Sequence, residues 1–231
     1  MKRQFDPNTL ELMDRSQPVS AELDRDLRNL RRLNRWFGSY LLISRFLRCW
    51  ICAGATLRIL DLATGSGDIP RIVADYARQV GADVRIDALD QQPATLEIAS
   101  RLSVDYPNIS FIQGNLLEWE ASEPYDIVLF TLALHHFSEE DAVRALRRCR
   151  QLSRRCVLVS DIRRGWLGTI GVYLLTATFF REPMTKFDAR LSMARAFSFA
   201  ELIDLARRAG WENFGRGRFK FARQAIWLEA P

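Results

Sequence analysis

The chain has 231 residues, of which 48% are hydrophobic and 26% are charged, a balance that is typical of a folded globular protein and excludes collagen-like, coiled-coil and disordered chains. The formal net charge of +5 allows contact with phosphates or anionic lipid without requiring it, because no run of like charges reaches the length of a nucleic-acid-binding tail. Four cysteines in a chain of this length do not indicate a disulfide framework, and the polar first eight residues do not form a cleavable signal, so we expect a cytoplasmic protein.

The first sixty residues predict two helices. Apolar residues recur at helical spacing over residues 21–36, opposite a row of arginines, which predicts an amphipathic helix. A second helix over residues 39–51 follows the break at Gly38. We expect the first helix to cap a ligand site rather than to bind nucleic acid, since Trp36 is the only aromatic residue among its arginines.

The middle of the chain predicts a parallel sheet with crossover helices, because short apolar runs alternate with amphipathic helical patterns from residue 62 to residue 160. Strands are predicted over residues 57–62, 84–89, 109–113, 127–132 and 156–160. Helices are predicted over residues 69–79, 93–105 and 138–153.

The last third of the chain begins with an uncharged stretch over residues 165–180. It is shorter than the roughly 20 residues that cross a bilayer, so we expect a buried helix or a pocket lid, with a segment lying on a membrane surface as the alternative. Ser198 and Glu201 form a capping box before a helix that Gly210 ends. Alternating residues over 211–216 and 221–228 then predict a hairpin, and we expect residues 1–231 to form one domain.

The most informative motif is ILDLATGSGDIP, residues 59–70. Gly65 and Gly67 let the backbone approach a ligand closely, and the following helix start offers unpaired N–H groups. A dinucleotide fingerprint requires a glycine where Pro70 stands, and the chain has no Gly-Lys-Ser/Thr sequence, which disfavours NAD, FAD and a P-loop. Asp61 ends this strand and Asp90 ends the next, where an acidic side chain can accept both hydroxyl groups of a ribose. The motif therefore predicts a different nucleotide cofactor.

In their order and spacing, the segments ILDLATGSGD, DALDQQP, QGNLLEW, YDIVLFTLALHHF and VLVSD resemble class I S-adenosylmethionine-dependent methyltransferases. The resemblance covers residues 57–165, and the last two predicted strands match more weakly. Ala63 stands at the first glycine of the family motif Asp-x-Gly-x-Gly-x-Gly, which favours the subgroup of ubiquinone, menaquinone and small-molecule O-methyltransferases.

That family resemblance implies an α/β fold: a Rossmann-like, seven-stranded, mostly parallel sheet with a C-terminal antiparallel hairpin and an N-terminal helical cap. The corresponding parts of the single methyltransferase domain are a cap over residues 1–56, a cofactor-binding core over 57–165, a substrate lid over 166–197, and a final helix and hairpin over 198–231.

The resemblance also implies how S-adenosyl-L-methionine is held. Asp61 and the backbone of residues 63–67 would bind the methionine part, and Asp90 the ribose. Asn115 replaces the commoner aspartate beside the adenine amino group, whose hydrogen bond an amide oxygen still accepts, and the Leu116 N–H is expected at adenine N1. The other predicted cofactor-binding residues belong to the loop and to strand ends: Ala63, Thr64, Gly65, Ser66, Gly67, Gln91, Thr131 and Leu132.

The only two histidines of the chain, His135 and His136, follow the fourth predicted strand, where such sheets open their ligand crevice. We predict His135 as the general base and His136 as the alternative, because imidazole titrates near neutral pH. In O-methyltransferases with a similar LHH segment the first histidine can pair with an aspartate that closes the fifth strand, which implies that Asp161 orients His135 or accepts a substrate hydroxyl group. Capping or packing is the structural alternative for all three residues.

The predicted methyl acceptor is a phenolic or quinol-type hydrophobic small molecule of secondary metabolism, with O-methylation favoured over C-methylation. The sequence TLAL, residues 131–134, stands where amino-methyltransferases usually carry Asn/Asp-Pro-Pro-aromatic. An apolar wall for a flat ligand is predicted from Trp166, Tyr173, Phe179, Phe180, Met184, Phe187, Met193 and Phe197. Arginines that could meet an anionic acceptor are Arg163, Arg164, Arg190 and Arg195.

Alternatives remain open at this stage. An RNA methyltransferase is suggested by the pI near 9.3, and a non-catalytic nucleotide-binding protein could keep the same fold. We expect no nucleic-acid partner. We also expect no metal, because Cys49 and Cys52 lie in an apolar helical run without a second pair nearby, and all four cysteines are predicted to be buried free thiols. Membrane contact through residues 165–180 is an alternative, and the oligomeric state, a homodimer included, stays open.

Overall fold

The computed structural model describes residues 2–180 and 182–229 and contains one seven-stranded sheet. The strands are β1 (Thr56–Leu62), β2 (Asp83–Asp90), β3 (Ile109–Gln113), β4 (Tyr125–Thr131), β5 (Ser153–Ile162), β6 (Gly215–Phe219) and β7 (Arg223–Glu229). They lie in the order β3-β2-β1-β4-β5-β7-β6. The first five strands are parallel, and β7 is antiparallel to both β5 and β6. The predicted fold class is therefore confirmed.

Eight helices accompany the sheet among the described residues. They are α1 (Ala21–Trp36), α2 (Ser39–Trp50), α3 (Asp68–Val80), α4 (Pro93–Leu102), α5 (Glu139–Leu152), α6 (Trp166–Phe179), α7 (Pro183–Arg195) and α8 (Phe199–Arg208). Short 3-10 turns cover Leu12–Asp14 and Leu134–His136. The sequence did not predict α7 or either of these turns.

The helix ends follow the expected chemistry. The Ser20 hydroxyl accepts a hydrogen bond from the Leu23 N–H at 3.1 Å at the start of α1. At the start of α8 the Glu201 carboxylate accepts from the Ser198 N–H at 2.7 Å and completes the predicted capping box. Gly210 follows α8 with a φ of +80°, the left-handed conformation that glycine adopts without strain.

The core has a layer on each face of the sheet. One layer joins α5 and α8 to apolar side chains of β1, β4 and β5, and the other joins α2 and α3 to the opposite face of the same strands. The placement of α2 differs from the expected cap: Phe46 packs on Trp227 at 5.0 Å between ring centroids, and the Trp50 indole N–H donates to Glu229 at 2.8 Å. The apolar face of α2 thus belongs to the sheet core.

The C-terminal hairpin lies later in the chain than predicted. Trp211 is not in a strand; its ring is buried and its indole N–H donates to the Leu146 carbonyl at 3.0 Å. The first strand begins at Gly215, where the Trp227 ring occupies the place that a Cβ would take and so requires glycine. Alternation of apolar residues therefore placed the hairpin correctly in outline but not in register.

Of the expectations for residues 165–180, the buried helix is wrong because the helix is largely exposed. The segment does form α6, yet Trp166, Leu167 and Phe179 are 65%, 67% and 71% exposed, and the only fully buried residue of the helix is Thr176. The reason is its position: α6 packs mainly on α7, outside the two core layers.

Candidate functional site

A cavity of about 1020 Å³ opens at the carboxyl ends of β1 and β4. These strands are neighbours, and the strand order reverses between them, which is where an open α/β sheet forms its ligand crevice. The glycine loop after β1 and the histidines after β4 form one side of the cavity. Residues of α1, α6, α7 and the N-terminal segment 10–14 form the other side.

Of the fifteen predicted site residues, twelve line this cavity: Ala63, Thr64, Gly65, Ser66, Asp90, Gln91, Asn115, Leu116, Thr131, Leu132, His135 and His136. Asp61, Gly67 and Asp161 lie behind the lining and are buried. They support the residues in front of them.

The glycine loop is held by Asp90. One oxygen of this carboxylate accepts the Gly65 N–H at 2.8 Å, and the other accepts the Gln92 N–H at 3.0 Å. Burial raises the pKa of Asp90, although these two hydrogen bonds favour the ionised form. At Gly65, which has a φ of +56°, no atom lies within 4 Å of the place of a Cβ. The open space over this glycine is available to a ligand.

Gly67 has a different reason for being glycine. Its φ is +70°, and a Cβ would stand 2.9 Å from the Phe111 ring. Ala63, at the first glycine of the family motif, has a φ of +55°, and Leu132 at the end of β4 has a φ of +57°. Both residues adopt the left-handed conformation that costs a non-glycine residue free energy, and both line the cavity. Strain is therefore stored at the two strand ends that meet the ligand.

Asp61 is the orphan polar group of the site. It is 1% exposed, and neither oxygen of its carboxylate has a hydrogen-bond partner among the described residues. The Thr64 hydroxyl nearby is also buried without one. Burial raises the pKa of Asp61 to about 8. An unpaired buried carboxyl behind a glycine loop fits a ligand that brings a cationic amino group, such as the methionine part of S-adenosylmethionine.

Asn115 and Leu116 lie after β3 at the edge of the cavity. Asn115 is exposed, and its side-chain oxygen accepts the Leu117 N–H at 3.0 Å. Leu116 is buried. The amide oxygen predicted to meet adenine is thus oriented by its own turn.

His135 and Asp161 form a buried pair. The His135 Nδ1 lies 2.7 Å from Asp161 Oδ1, and the backbone N–H of His135 donates to Asp161 Oδ2 at 2.9 Å. The Ile162 N–H also donates to this carboxylate, at 2.8 Å. Because the carboxylate accepts the Nδ1 proton, the neutral imidazole keeps its lone pair on Nε2. The predicted pairing at the ends of β4 and β5 is present in the structure.

Two acidic residues of the site, Glu11 and Asp14, were not predicted from the sequence. Asp14 Oδ2 lies 2.6 Å from His136 Nδ1, and Glu11 Oε1 lies 3.8 Å from the Nε2 atoms of both histidines. Burial by itself would lower the pKa of His136, but the carboxylates of Glu11 and Asp14 outweigh it and raise this pKa to about 10. His136 in turn holds the pKa of Asp14 below its usual range in spite of burial. This end of the cavity favours positive charge.

The N-terminal segment that carries these acids is tied to α7 and to the histidine turn. The Arg3 side chain donates to the carbonyls of Phe137 at 2.7 Å and Arg195 at 2.5 Å. The N–H groups of Leu12 and Met13 donate to the Asp188 carboxylate at 2.7 and 3.1 Å. No local pattern in the sequence predicts these contacts, since the two residues of each pair are more than 130 positions apart in the chain.

The predicted apolar wall is only partly present. Trp166, Phe179 and Met193 line the cavity, together with leucines of α1 and α6. The five other predicted wall residues do not line it: Tyr173, Phe180, Met184, Phe187 and Phe197. Phe180, Met184 and Phe197 are buried elsewhere, whereas Tyr173 and Phe187 are exposed.

Among the four predicted arginines, Arg163 and Arg195 line the cavity. Arg164 forms a bidentate pair with Glu201 at 2.7 and 2.9 Å, and the Arg190 guanidinium lies 4.5 Å from the centre of the Tyr173 ring. Arg164 and Arg190 are therefore used in packing rather than at the cavity.

The cysteines are all free, as predicted, but the prediction of burial is wrong for two of them. Cys149 and Cys156 are buried, whereas Cys49 and Cys52 are exposed near the end of α2, where the helix turns its polar face outward. Within the described part of the chain, no helix has both the length and the apolar character needed to cross a membrane.

Residues 59–155 match the model of a methyltransferase domain. Two curated relatives match part of the chain. A 2-phytyl-1,4-naphtoquinone methyltransferase of Thermosynechococcus vestitus is 44% identical over 64 residues, which are 28% of this chain and 26% of the relative. A demethylmenaquinone methyltransferase of Thermotoga maritima is 32% identical over 98 residues, 42% of this chain and 39% of the relative. The chain thus spans well under half the length of the relatives it matches.

The fold is shared with solved methyltransferases along nearly the whole chain. Magnesium protoporphyrin IX methyltransferase of Synechocystis PCC 6803, crystallised with S-adenosylhomocysteine, superposes with a TM-score of 0.57 at 16% identity, over 93% of this chain and 90% of that chain. The likeness at this identity concerns the fold alone, and it agrees with the seven-stranded architecture.

The left-handed conformation of Ala63 leads to a first prediction. Replacing Ala63 by glycine relieves the strain at this position, whereas Ala133→Gly, at a buried alanine with a φ of −136°, relieves none. We expect the Ala63→Gly protein to be more stable than the Ala133→Gly protein by at least about 1 kcal/mol in urea denaturation. Equal stabilities of the two variants would show that Ala63 is unstrained.

Proposed function

We propose that this chain is a class I S-adenosylmethionine-dependent methyltransferase and that it transfers a methyl group to a phenolic or quinol hydroxyl group of a hydrophobic small molecule. The observation that carries the proposal is the His135–Asp161 pair, with 2.7 Å between Nδ1 and Oδ1, beside the cavity that the glycine loop also lines. A base next to a cofactor loop is what the alkylation of a weakly acidic hydroxyl group requires.

The residues present fit the cofactor. The unpaired carboxyl of Asp61 suits the amino group of its methionine part, the open space over Gly65 suits the close approach of its chain, and Asp90 stands at the end of β2 where a ribose is held. Leu116 and Asn115 remain the proposed adenine contacts. When bound, S-adenosylmethionine supplies a methyl carbon on a positively charged sulfur.

The residues of this chain act on the acceptor. His135 Nε2 takes the hydroxyl proton, and Asp161 holds the imidazole in the tautomer that can do so. The acceptor oxygen then forms the new bond to the methyl carbon as the carbon–sulfur bond breaks, and the electron pair of that bond stays on sulfur. Burial of His135, 4% exposed, keeps competing water away from the reacting oxygen.

The acceptor is proposed to be hydrophobic for two reasons. The cavity is lined by leucines of α1 and α6 together with Trp166, Phe179 and Met193, and its volume of about 1020 Å³ can hold a ligand in addition to the cofactor. Both curated relatives are named as methyltransferases of quinones. Residues 57–165 would form the cofactor side, and α1, α6 and α7 the acceptor side. Cytoplasmic location, dimer formation and membrane contact through residues 165–180 stay predictions.

The base assignment predicts a specific kinetic defect. We expect His135→Gln to lower kcat by about 10²- to 10⁴-fold on phenol or quinol acceptors, because proton transfer loses its acceptor. Asp161→Asn is expected to lower kcat with little change in KM, since an amide donor would leave the Nε2 lone pair occupied by a proton. The measurement is transfer of labelled methyl from S-adenosylmethionine, with the position of the label in the product determined by NMR.

The control is calorimetric titration of both variants with S-adenosylhomocysteine, which we expect to bind as in the wild type. Full activity of His135→Gln would refute the base assignment. Transfer to RNA but to no small molecule would replace the proposed acceptor class. Binding of S-adenosylhomocysteine without any transfer would indicate a non-catalytic protein.

The raised pKa of Asp61 predicts proton release on cofactor binding. With a pKa of about 8, this carboxyl is mostly protonated at pH 7 in the free protein. An ammonium group beside it lowers the pKa, so the bound form holds fewer protons and binding strengthens as the pH rises. We expect the affinity for S-adenosylhomocysteine to increase by up to about tenfold per pH unit between pH ~6 and ~7.5.

Calorimetry in buffers of different ionisation enthalpy measures the released proton directly. Asp61→Asn, which cannot release one, is the matched control and should show weaker binding that does not vary with buffer. If wild type and Asp61→Asn give the same buffer dependence, the ammonium group does not meet Asp61.

A further inference from the structure

Three metal-ligating side chains converge at the acceptor end of the cavity. Glu11, His135 and His136 each offer one ligand atom, and these atoms all lie within 4.8 Å of one another. Both imidazole Nε2 atoms lie 3.8 Å from the same oxygen, Glu11 Oε1. All three residues line the cavity, so the space between them is open to a ligand on one side.

Each imidazole is oriented by a carboxylate on its far side. Asp161 Oδ1 lies 2.7 Å from His135 Nδ1, and Asp14 Oδ2 lies 2.6 Å from His136 Nδ1. Histidines that bind metal ions almost always make this second contact, which fixes the tautomer with the lone pair on the other nitrogen. Here both Nε2 atoms face Glu11 Oε1, so neutral imidazoles would direct their lone pairs towards it. The Ser192 hydroxyl donates to Glu11 Oε1 at 2.6 Å and holds the third ligand in place.

We propose that Glu11, His135 and His136 bind one divalent transition-metal ion of the zinc class and leave a fourth coordination position open to the cavity. Two imidazoles and one carboxylate with an open position form a donor set typical of such ions. Magnesium and calcium prefer oxygen ligands and are not expected here. Five residues from three separate stretches of the chain build this arrangement: Glu11, Asp14, His135, His136 and Asp161.

The charge of the surroundings supports a cation. Three carboxylates, those of Glu11, Asp14 and Asp161, outnumber the two imidazoles that they surround, and Glu11 and Asp161 are only 2% and 1% exposed. The guanidinium of Arg3 donates to carbonyl oxygens of the histidine turn, and that of Arg195 donates to the carbonyls of Asp6 and Thr9, rather than to these acids. A bound dication would be the counter-ion that the cluster lacks.

The consequence for catalysis rests on the proposed function. A metal ion on His135 Nε2 occupies the lone pair with which His135 would accept the acceptor proton. Metal binding and general-base catalysis by His135 therefore exclude each other, and Zn²⁺ should inhibit methyl transfer by the metal-free protein.

The test uses the full chain with Cys49→Ser and Cys52→Ser, because these exposed thiols have a spacing that could itself bind Zn²⁺. After treatment with a chelator, this protein is titrated calorimetrically with Zn²⁺ and separately with Mg²⁺. We expect one Zn²⁺ per chain and no binding of Mg²⁺. Co²⁺ should give visible absorption bands of nitrogen and oxygen coordination, a signature that a purely structural cluster would not produce.

Variants then identify the ligands. In the same cysteine-free background, Glu11→Gln and His136→Gln should each weaken Zn²⁺ binding by more than about tenfold, and Asp14→Asn, which alters only the orienting contact, by about 10- to 100-fold. Thermal unfolding and S-adenosylhomocysteine binding verify that each variant is folded.

Absence of Zn²⁺ binding in the cysteine-free protein, or binding that Glu11→Gln and His136→Gln leave unchanged, overturns the site. Zn²⁺ binding with inhibition supports both the site and the base role of His135. Zn²⁺ binding that activates methyl transfer supports the site and overturns the base role, so the two proposals fail separately.

Discussion

The parallel pairing of β1 with β4 determines where everything functional in this molecule can lie. In register, Asp61 of β1 stands beside Leu129 of β4, so the two strands end at one edge of the sheet. The chain leaves β1 through the glycine loop and leaves β4 through the histidine turn. A ligand that touches one loop is therefore within reach of the other, and the pairing of the two strands brings the proposed cofactor site and the proposed base together.

The two strand ends contain strained backbone conformations, which hydrogen bonds to neighbouring strands of the sheet hold in place. Ala63 and Leu132 both hold positive φ angles at these ends, a conformation that non-glycine residues keep only where the surrounding structure fixes it. Here that structure is close at hand: the Thr64 N–H donates to the Leu89 carbonyl at 2.9 Å, and the Leu132 N–H donates to the Ser160 carbonyl at 2.8 Å. The residue after Ala63 is thus tied to β2 and Leu132 itself is tied to β5, so both loops begin from fixed points.

The cofactor half of the site could be predicted because its signals are local. The strand before Asp61, the glycines of the loop and the acid that ends β2 follow one another in the sequence, and all fall where the patterns placed them. The His135–Asp161 pair, predicted by the family resemblance, bridges only 26 residues across two adjacent strands. Periodicity also gave α1 its bounds, because leucines recur at helical spacing from Leu23 to Leu33, where they are buried or line the cavity.

The part of the cavity proposed to bind the acceptor could not be predicted, because the residues that build it are far apart in the sequence. Asp14 meets His136 across 122 residues, and Glu11 is fixed by Ser192 across 181. Hydrophobic periodicity cannot predict the position of a segment such as residues 2–14. This segment has almost no regular structure and is positioned by hydrogen bonds to the Asp188 side chain of α7. The exposure of α6 was missed for a related reason: an apolar helix is expected to be buried, but how much other structure surrounds it is a tertiary property.

The division of labour along the chain has a consequence for how such a protein can diversify. The segment that matches the methyltransferase domain, residues 59–155, contains the glycine loop and both histidines but neither Glu11 nor the three helices, α1, α6 and α7, that line the other side of the cavity. Changes in the N-terminal segment, α6 and α7 can therefore alter the shape and charge of the acceptor end while the cofactor end stays intact. Two proteins with nearly identical cores could thus be selected for different acceptors by exchange of their flanking segments, so inheritance of the core carries little information about the molecule that is methylated.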